Sequence, residues 1–173
     1  MAYGLAAGCT TAGAPAPAGS PAGAPFVYVT GKGGTNEISQ FASLGSGALR
    51  RLTPENVASG KYPYGIAVSP QGTSAYAVNN LSSTAGAVSQ YTLNPATGAL
   101  GARPVQTLAT GQNPQMIAIA PDGTSAYVTG SSTIWQYSIN PVTGKLTPKS
   151  PATVATGKAR TTSRSRRTAR TST

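Results

Sequence analysis

The sequence predicts an all-β protein built from repeated four-stranded antiparallel sheets, and three observations predict it. Gly (21) and Pro (14) are abundant and only 9% of residues are charged, a composition that suits short strands and many turns better than long helices. From Phe26 onward, short runs rich in Val, Ile, Tyr and Thr are punctuated by turn residues. Finally, these runs recur: GQNPQMIAIAPDGTSAY at 111–127 restates GKYPYGIAVSPQGTSAY at 60–76 without a gap, with ten of 17 positions identical and an offset of 51 residues.

Taken in order, residues 1–25 are small residues and proline with almost no bulky side chain to bury, the composition of a disordered linker. Within them, Leu5-Ala6-Ala7-Gly8-Cys9 resembles the end of a bacterial lipoprotein signal, in which the cysteine thiol takes a lipid. Only eight residues precede Cys9, too few for the charged start and apolar stretch such a signal needs. Two readings therefore stand: a signal remnant with Cys9 as the lipid attachment residue, or an Ala/Gly-rich coil with an incidental cysteine. One cysteine forms no internal disulfide.

The first repeat unit, about 26–65, is a weaker copy, with Phe26-Val27-Tyr28-Val29-Thr30 matching the later strands at Tyr76 and Tyr127. The second, about 66–116, and the third, about 117–157, also share their second halves: SQYTLNPATGAL at 89–100 returns as WQYSINPVTGKL at 135–146, offset by 46 residues. The third unit illustrates the decomposition. Residues 117–120 make an inner strand, Pro121-Asp122-Gly123 turns the chain, 125–129 returns, 133–140 makes a third strand and 141–144 turns again. The outer strand is expected at 105–110 in one unit and 152–156 in the next. A period of 46–51 residues with about four β segments is that of a propeller blade, so the expected architecture over 26–157 is an incomplete β-propeller of about three four-stranded blades.

The tail, 158–173, carries six of the 13 basic residues, leaving seven against three acidic ones in the rest of the chain. The formal charge of +10 is thus concentrated at one end, and nucleic acid is not the expected partner of the mildly basic body. The tail begins where a fourth unit should open. Read one nucleotide out of frame, Arg160 permits Pro, Ser163 Ile, Arg164 Ala, Arg167 Pro, Thr168 Asp, Ala169 Gly, Arg170 Thr and Thr173 Tyr, the motif of 114–127 in the same register. The expectation is frameshifted translation and a truncated chain. The rival is an Arg/Ser/Thr-rich arm contacting phosphates of nucleic acid or acidic lipid.

The unit G-x-x-P-x-x-I-A-x-x-P-D-G-T-x-x-Y followed by x-Q-Y-x-x-N-P-x-T-G-x-L resembles the blade of lactonase-type seven-bladed propellers, a group that includes propeller-type 6-phosphogluconolactonase and overlaps the surface repeats named for Tyr-Val-Thr-Asn. Tyr28-Val29-Thr30-Gly31 and Tyr127-Val128-Thr129-Gly130 sit close to that tetrapeptide. The resemblance implies a parent protein that hydrolyses a sugar lactone, a carboxylic ester hydrolase, exported to the periplasm or cell envelope. The alternatives are a non-enzymatic binding or scaffold propeller at the cell surface and an inactive truncated product. A membrane is implied only through a lipid on Cys9.

Candidate chemistry is sparse. There is no His, and the acids are Glu37, Glu55 and Asp122, so no metal or cofactor is expected and no residue is assigned a catalytic role. Glu37, Glu55, Arg50, Arg51 and Arg103 are expected as solvated charges in loops or outer strands, and Asp122 as a turn residue whose counterpart is Gln71. The segment 31–35 lacks phosphate-loop spacing and reads as a hairpin connection. Tyr76, Tyr91, Tyr127, Tyr137 and Trp135 invite a sugar-stacking role, but their recurrence at matching places points to packing between sheets. An incomplete ring leaves open strand edges and uncovered faces, so self-association is expected.

Overall fold

The computed structural model describes residues 26–31, 35–44, 46–80 and 85–156. Cys9, the basic tail 158–173 and residues 32–34 lie outside the described residues. Eleven strands are described: β1 (Phe26–Thr30), β2 (Glu37–Ser43), β3 (Leu49–Ala58), β4 (Pro63–Val68), β5 (Ser74–Asn79), β6 (Ala85–Thr92), β7 (Gln106–Gln112), β8 (Met116–Ile119), β9 (Ser125–Thr129), β10 (Thr133–Ile139) and β11 (Leu146–Ala155). They form three antiparallel sheets in the orders β1-β2-β3, β4-β5-β6-β7 and β8-β9-β10-β11. Every connection within a sheet joins neighbouring strands, the meander of a propeller blade.

Three details correct the expected boundaries. Among the described residues the first sheet has three strands rather than four, because β1 already corresponds to β5 and β9, the second strands of their sheets. The divisions expected at 65/66 and 116/117 fall inside β4 and just after the start of β8, since pairing begins at Pro63, opposite Asn79, and at Met116, opposite Thr129. The last outer strand starts at Leu146 rather than at 152 and accommodates Pro148 and Pro151, as a one-sided edge strand can.

The sheets stack face on face through two apolar layers. Tyr28, Ile38 and Val57 of the first sheet meet Ile66, Ala75, Ala77, Tyr91, Leu93 and Leu100 of the second. Tyr76, Val78 and Val88, on the opposite face of that second sheet, meet Ile117, Ala126, Val128, Tyr137, Ile139 and Leu146 of the third. The period-two alternation of a strand sends Ala75 and Ala77 one way and Tyr76 and Val78 the other. Covered on both sides, β5 is buried at all six positions. Its counterpart β9 is covered on one side, and Tyr127 and Thr129 are left partly or fully open to solvent.

The recurrent Asn-Pro-x-Thr-Gly turns lock the stacking. Asn94 Oδ1 accepts from the Ala96 and Thr97 amides, and Asn140 Oδ1 from those of Val142 and Thr143, so each Asn closes its own turn. The turn glycines Gly98 and Gly144 adopt φ of 71° and 68°. Their carbonyls each accept a hydroxyl from the preceding sheet at 2.6 Å, from Tyr28 and Tyr76 respectively. These tyrosines are therefore packing and turn-anchoring residues.

Candidate binding rim

The strand ends divide into two rims. One rim holds the tight turns, and among the described residues all the left-handed glycines, Gly47, Gly72, Gly98, Gly123 and Gly144, lie there. The opposite rim holds the β1–β2 connection, the links from sheet to sheet and the β5–β6 and β9–β10 connections. All three described non-glycine residues with positive φ lie on this loop rim: Asn36 (50°), Tyr62 (52°) and Asn113 (53°). Asn tolerates this conformation, whereas a bulky Tyr in it is held only by surrounding structure.

That surrounding structure is a set of long-range hydrogen bonds. Asn36 Oδ1 accepts the Tyr62 amide at 3.2 Å and the Asn36 carbonyl accepts the Ser59 amide at 2.8 Å. The Tyr62 carbonyl then accepts the Asn80 amide at 2.9 Å, tying three loops from two sheets together. Beneath them, buried Asn79 accepts from Ser59 Oγ at 3.0 Å and donates to Ser89 Oγ at 2.8 Å, while the Tyr91 hydroxyl donates to the Ala58 carbonyl at 2.9 Å. Burial raises the Tyr91 pKa, partly countered by its serine neighbours Ser59 and Ser89.

The glycine of the G-x-x-P unit has its reason here. A Cβ on Gly60 would lie 2.6 Å from the buried Asn79 side chain, and one on Gly111, near the end of β7, would lie 2.6 Å from the partly buried Trp135 ring, so the backbone passes directly over a side chain at both places. The prolines that follow, Pro63 and Pro114, are fully buried. Inner strands β4 and β8 converge so closely that a Cβ on Gly65 would meet the Gln115 carbonyl at 2.7 Å.

Tyr62, 52% exposed, therefore stands on a braced loop between exposed Lys61 and the inner strands, with exposed Gln115 on the equivalent link of the next sheet and exposed Met116 opening β8. These are a phenol, amides and one cation: groups able to hydrogen-bond and stack on a polar ring. Of the sequence candidates, Glu37 lies at the rim, at the start of β2 and half-buried, rather than in a loop or outer strand.

The other candidates are elsewhere. Arg50, Arg51 and Glu55 lie on β3, where Arg51 pairs with Glu55 at 3.3 Å and sits 5.4 Å from the Phe41 ring centre. Arg103 is exposed beyond β6. Asp122 accepts the Thr124 amide at 2.9 Å within its own turn, and this backbone bond holds its carboxyl below the usual value. Gly31 and Thr35 flank the β1–β2 connection. No three of His, Cys, Asp and Glu gather among the described residues, and no described helix is long and apolar enough to cross a membrane.

Comparison with known proteins gives the architecture a context. No family model matches the sequence, and no curated protein matches it either. Among solved structures, a candidate 6-phosphogluconolactonase from Bacteroides fragilis superposes with a TM-score of 0.66 at 24% identity, over 76% of this chain and 36% of its own. A second, from Bacteroides uniformis, gives 0.63 at 24%, over 76% and 37%. A functionally unknown protein from Desulfotomaculum acetoxidans gives 0.60 at 24%, over 74% and 38%. The shared property is the fold: stacked antiparallel sheets of a β-propeller. The chain spans less than two fifths of the length of each of these proteins.

Proposed function

We propose that the three sheets are part of a propeller that binds a sugar lactone on its loop rim and, once the ring is completed by further sheets, hydrolyses it. The observation that carries this reading is the rim itself, where Asn36, Tyr62 and Asn113 take left-handed conformations and bonds between loops brace Asn36 and Tyr62. The fold shared with two candidate 6-phosphogluconolactonases supports the choice of ligand. Lys61, Tyr62 and Gln115 offer a cation, a ring face and an amide to a phosphorylated, polyhydroxylated compound.

A binding or scaffold propeller at the cell envelope is the second reading. It is favoured because two of the three acids are already engaged, Glu55 with Arg51 and Asp122 with its own turn, which leaves Glu37 as the one rim carboxylate. The test uses 6-phosphogluconate, the stable product of hydrolysis, titrated into the 173-residue chain and followed by NMR. Shifts concentrated at Tyr62 and Asn113, weakened several-fold by Tyr62→Ala, are expected. No binding sinks the proposal. Acid release from the lactone by the completed ring separates hydrolysis from binding alone. Export with a lipid on Cys9 belongs to the same proposal and is read by the mass of the protein recovered from the membrane fraction.

A further inference from the structure

The two outer faces of the stack are the two halves of a contact that the molecule already makes twice inside itself. In each internal contact one sheet supplies a socket and the next a plug. The socket of the second sheet consists of Ser74, Tyr76 and Gln90: Tyr76 donates to the Gly144 carbonyl at 2.6 Å, Gln90 Nε2 to the Thr143 carbonyl at 2.8 Å, and Ser74 packs on Gly144. The plug is the turn carrying Gly144, followed by Leu146, which is 3% exposed. Between the first two sheets the same parts are Tyr28 and Gln40 against Gly98 and Leu100, with the Leu100 amide donating to Gln40 Oε1 at 2.6 Å.

The third sheet carries an empty socket. Ser125, Tyr127 and Gln136 occupy the positions of Ser74, Tyr76 and Gln90, and Gln136 pairs across the strands with Tyr127 as Gln90 does with Tyr76. Tyr127 and Gln136 are half-exposed, and the Tyr127 hydroxyl has no hydrogen-bond partner among the described residues. Lys149 stands in for the missing turn. Its Nζ donates to Ser125 Oγ at 2.7 Å and lies 5.7 Å from the Tyr127 ring centre.

The first sheet carries an unused plug. Gly47 is left-handed at φ 82°, and its amide donates to the Leu44 carbonyl at 2.8 Å, in a turn one residue shorter than those in which the Gly98 and Gly144 amides donate to the Asn94 and Asn140 carbonyls. The Leu44 amide donates to the Ala48 carbonyl at 2.8 Å, matching Asn94 with Ala99 and Asn140 with Lys145. Yet Gly47 is exposed where Gly98 and Gly144 are buried, and Leu49 is 53% exposed where Leu100 and Leu146 are 3%.

We infer that two copies of this chain associate head to tail, the Gly47 turn and Leu49 of one seating on Ser125, Tyr127 and Gln136 of the other after Lys149 swings aside. The contact continues a stacking interface already made twice within the chain. A second copy is the occupant because the unused plug and the empty socket lie on one chain and match the two pairs already joined inside it, and the other two turns of this kind are used internally. A plug at one end and a socket at the other make the contact heterologous, with different patches meeting.

Light scattering on the intact 173-residue chain tests this. Wild type is expected to exceed the 17.3 kDa monomer mass increasingly with concentration. Leu49→Asp (plug lost) and Gln136→Arg (socket lost) are each expected to be monomeric alone, and their equimolar mixture to form one-to-one dimers. Recovery of association on mixing also shows that neither variant is unfolded, and circular dichroism of each variant checks this separately. Lys149→Ala, which clears the socket, is expected to tighten association about tenfold by removing a hydrogen bond and a cation–π contact that compete with docking. Self-association by either single variant overturns the inference, as does a monomeric mixture of two folded variants or an unchanged affinity in Lys149→Ala.

Discussion

At the turn rim every left-handed position described is a glycine, and at the loop rim none is: Asn36, Tyr62 and Asn113 take that conformation instead. The turns are locally determined and reused, since each closes on its own backbone and two of them anchor the next sheet through a tyrosine hydroxyl. The loops at the other rim differ from one another and are held by bonds to residues far along the chain, such as Tyr62 to Asn36. Scaffold and candidate function are thereby segregated to opposite strand ends, the division expected when a rigid sheet presents variable loops.

The comparison is tested most severely at the turn glycines. Gly144→Val is expected to prevent folding or to cost about 3–5 kcal/mol in urea denaturation, because a side chain there collides with Ser74 and Gln90 in addition to the left-handed strain. Gly72→Val has the same sign of φ but open space around it, and should cost only about 1–2 kcal/mol. Equal losses would show that strain, and not plugging into the next sheet, governs these turns.

Next in size is the response to alkali. Burial raises the pKa of Tyr28, Tyr76, Tyr91 and Tyr137 above the ordinary 10.0, Tyr137 to about 12. The folded protein holds these protons more tightly than the unfolded chain. Their contribution is therefore complete below pH 10.0 and is lost as pH rises through the folded values. Stability should fall by up to about 1.4 kcal/mol per pH unit for each such tyrosine, and thermal melts between pH 9 and pH 12 measure it.

Removing one hydroxyl sharpens the picture. Tyr76→Phe leaves the buried Gly144 carbonyl without its donor and should cost about 1–3 kcal/mol, whereas Tyr127→Phe, at the equivalent place on the uncovered face, should change monomer stability by less than about 0.5 kcal/mol. The smallest effect is expected at the loop rim. Tyr62→Gly relieves the left-handed strain and should leave stability unchanged or raise it by up to about 1 kcal/mol while weakening 6-phosphogluconate binding. A large destabilisation would make Tyr62 a structural residue.

The repeat was legible because its determinants are local: an Asn that caps its own turn, a Gly that turns left, alternating apolar residues that face two ways. Tyr76 and Tyr91 were readable as packing residues from recurrence alone. The three-stranded extent of the first sheet among the described residues and the early start of β11 were less so, since a Pro-containing edge strand such as β11 has weak propensity and is defined by its partner. Tyr62 carried no signal at all, because a residue before proline is normally extended and only long-range bonding makes it otherwise.

What the amino-acid order determined unaided is thus the all-β class, the three stacked units and the chemistry of their turns, all consequences of propensity and periodicity within a few residues. What only the tertiary structure decided is which side chains meet across tens of residues: Asn36 with Tyr62, Gln40 with Leu100, and the unmatched pair of surfaces at Gly47 and Tyr127. The physical reason is that a hydrogen bond or an apolar contact depends on distance in space, and stacked sheets bring together residues whose separation along the chain holds no record of it.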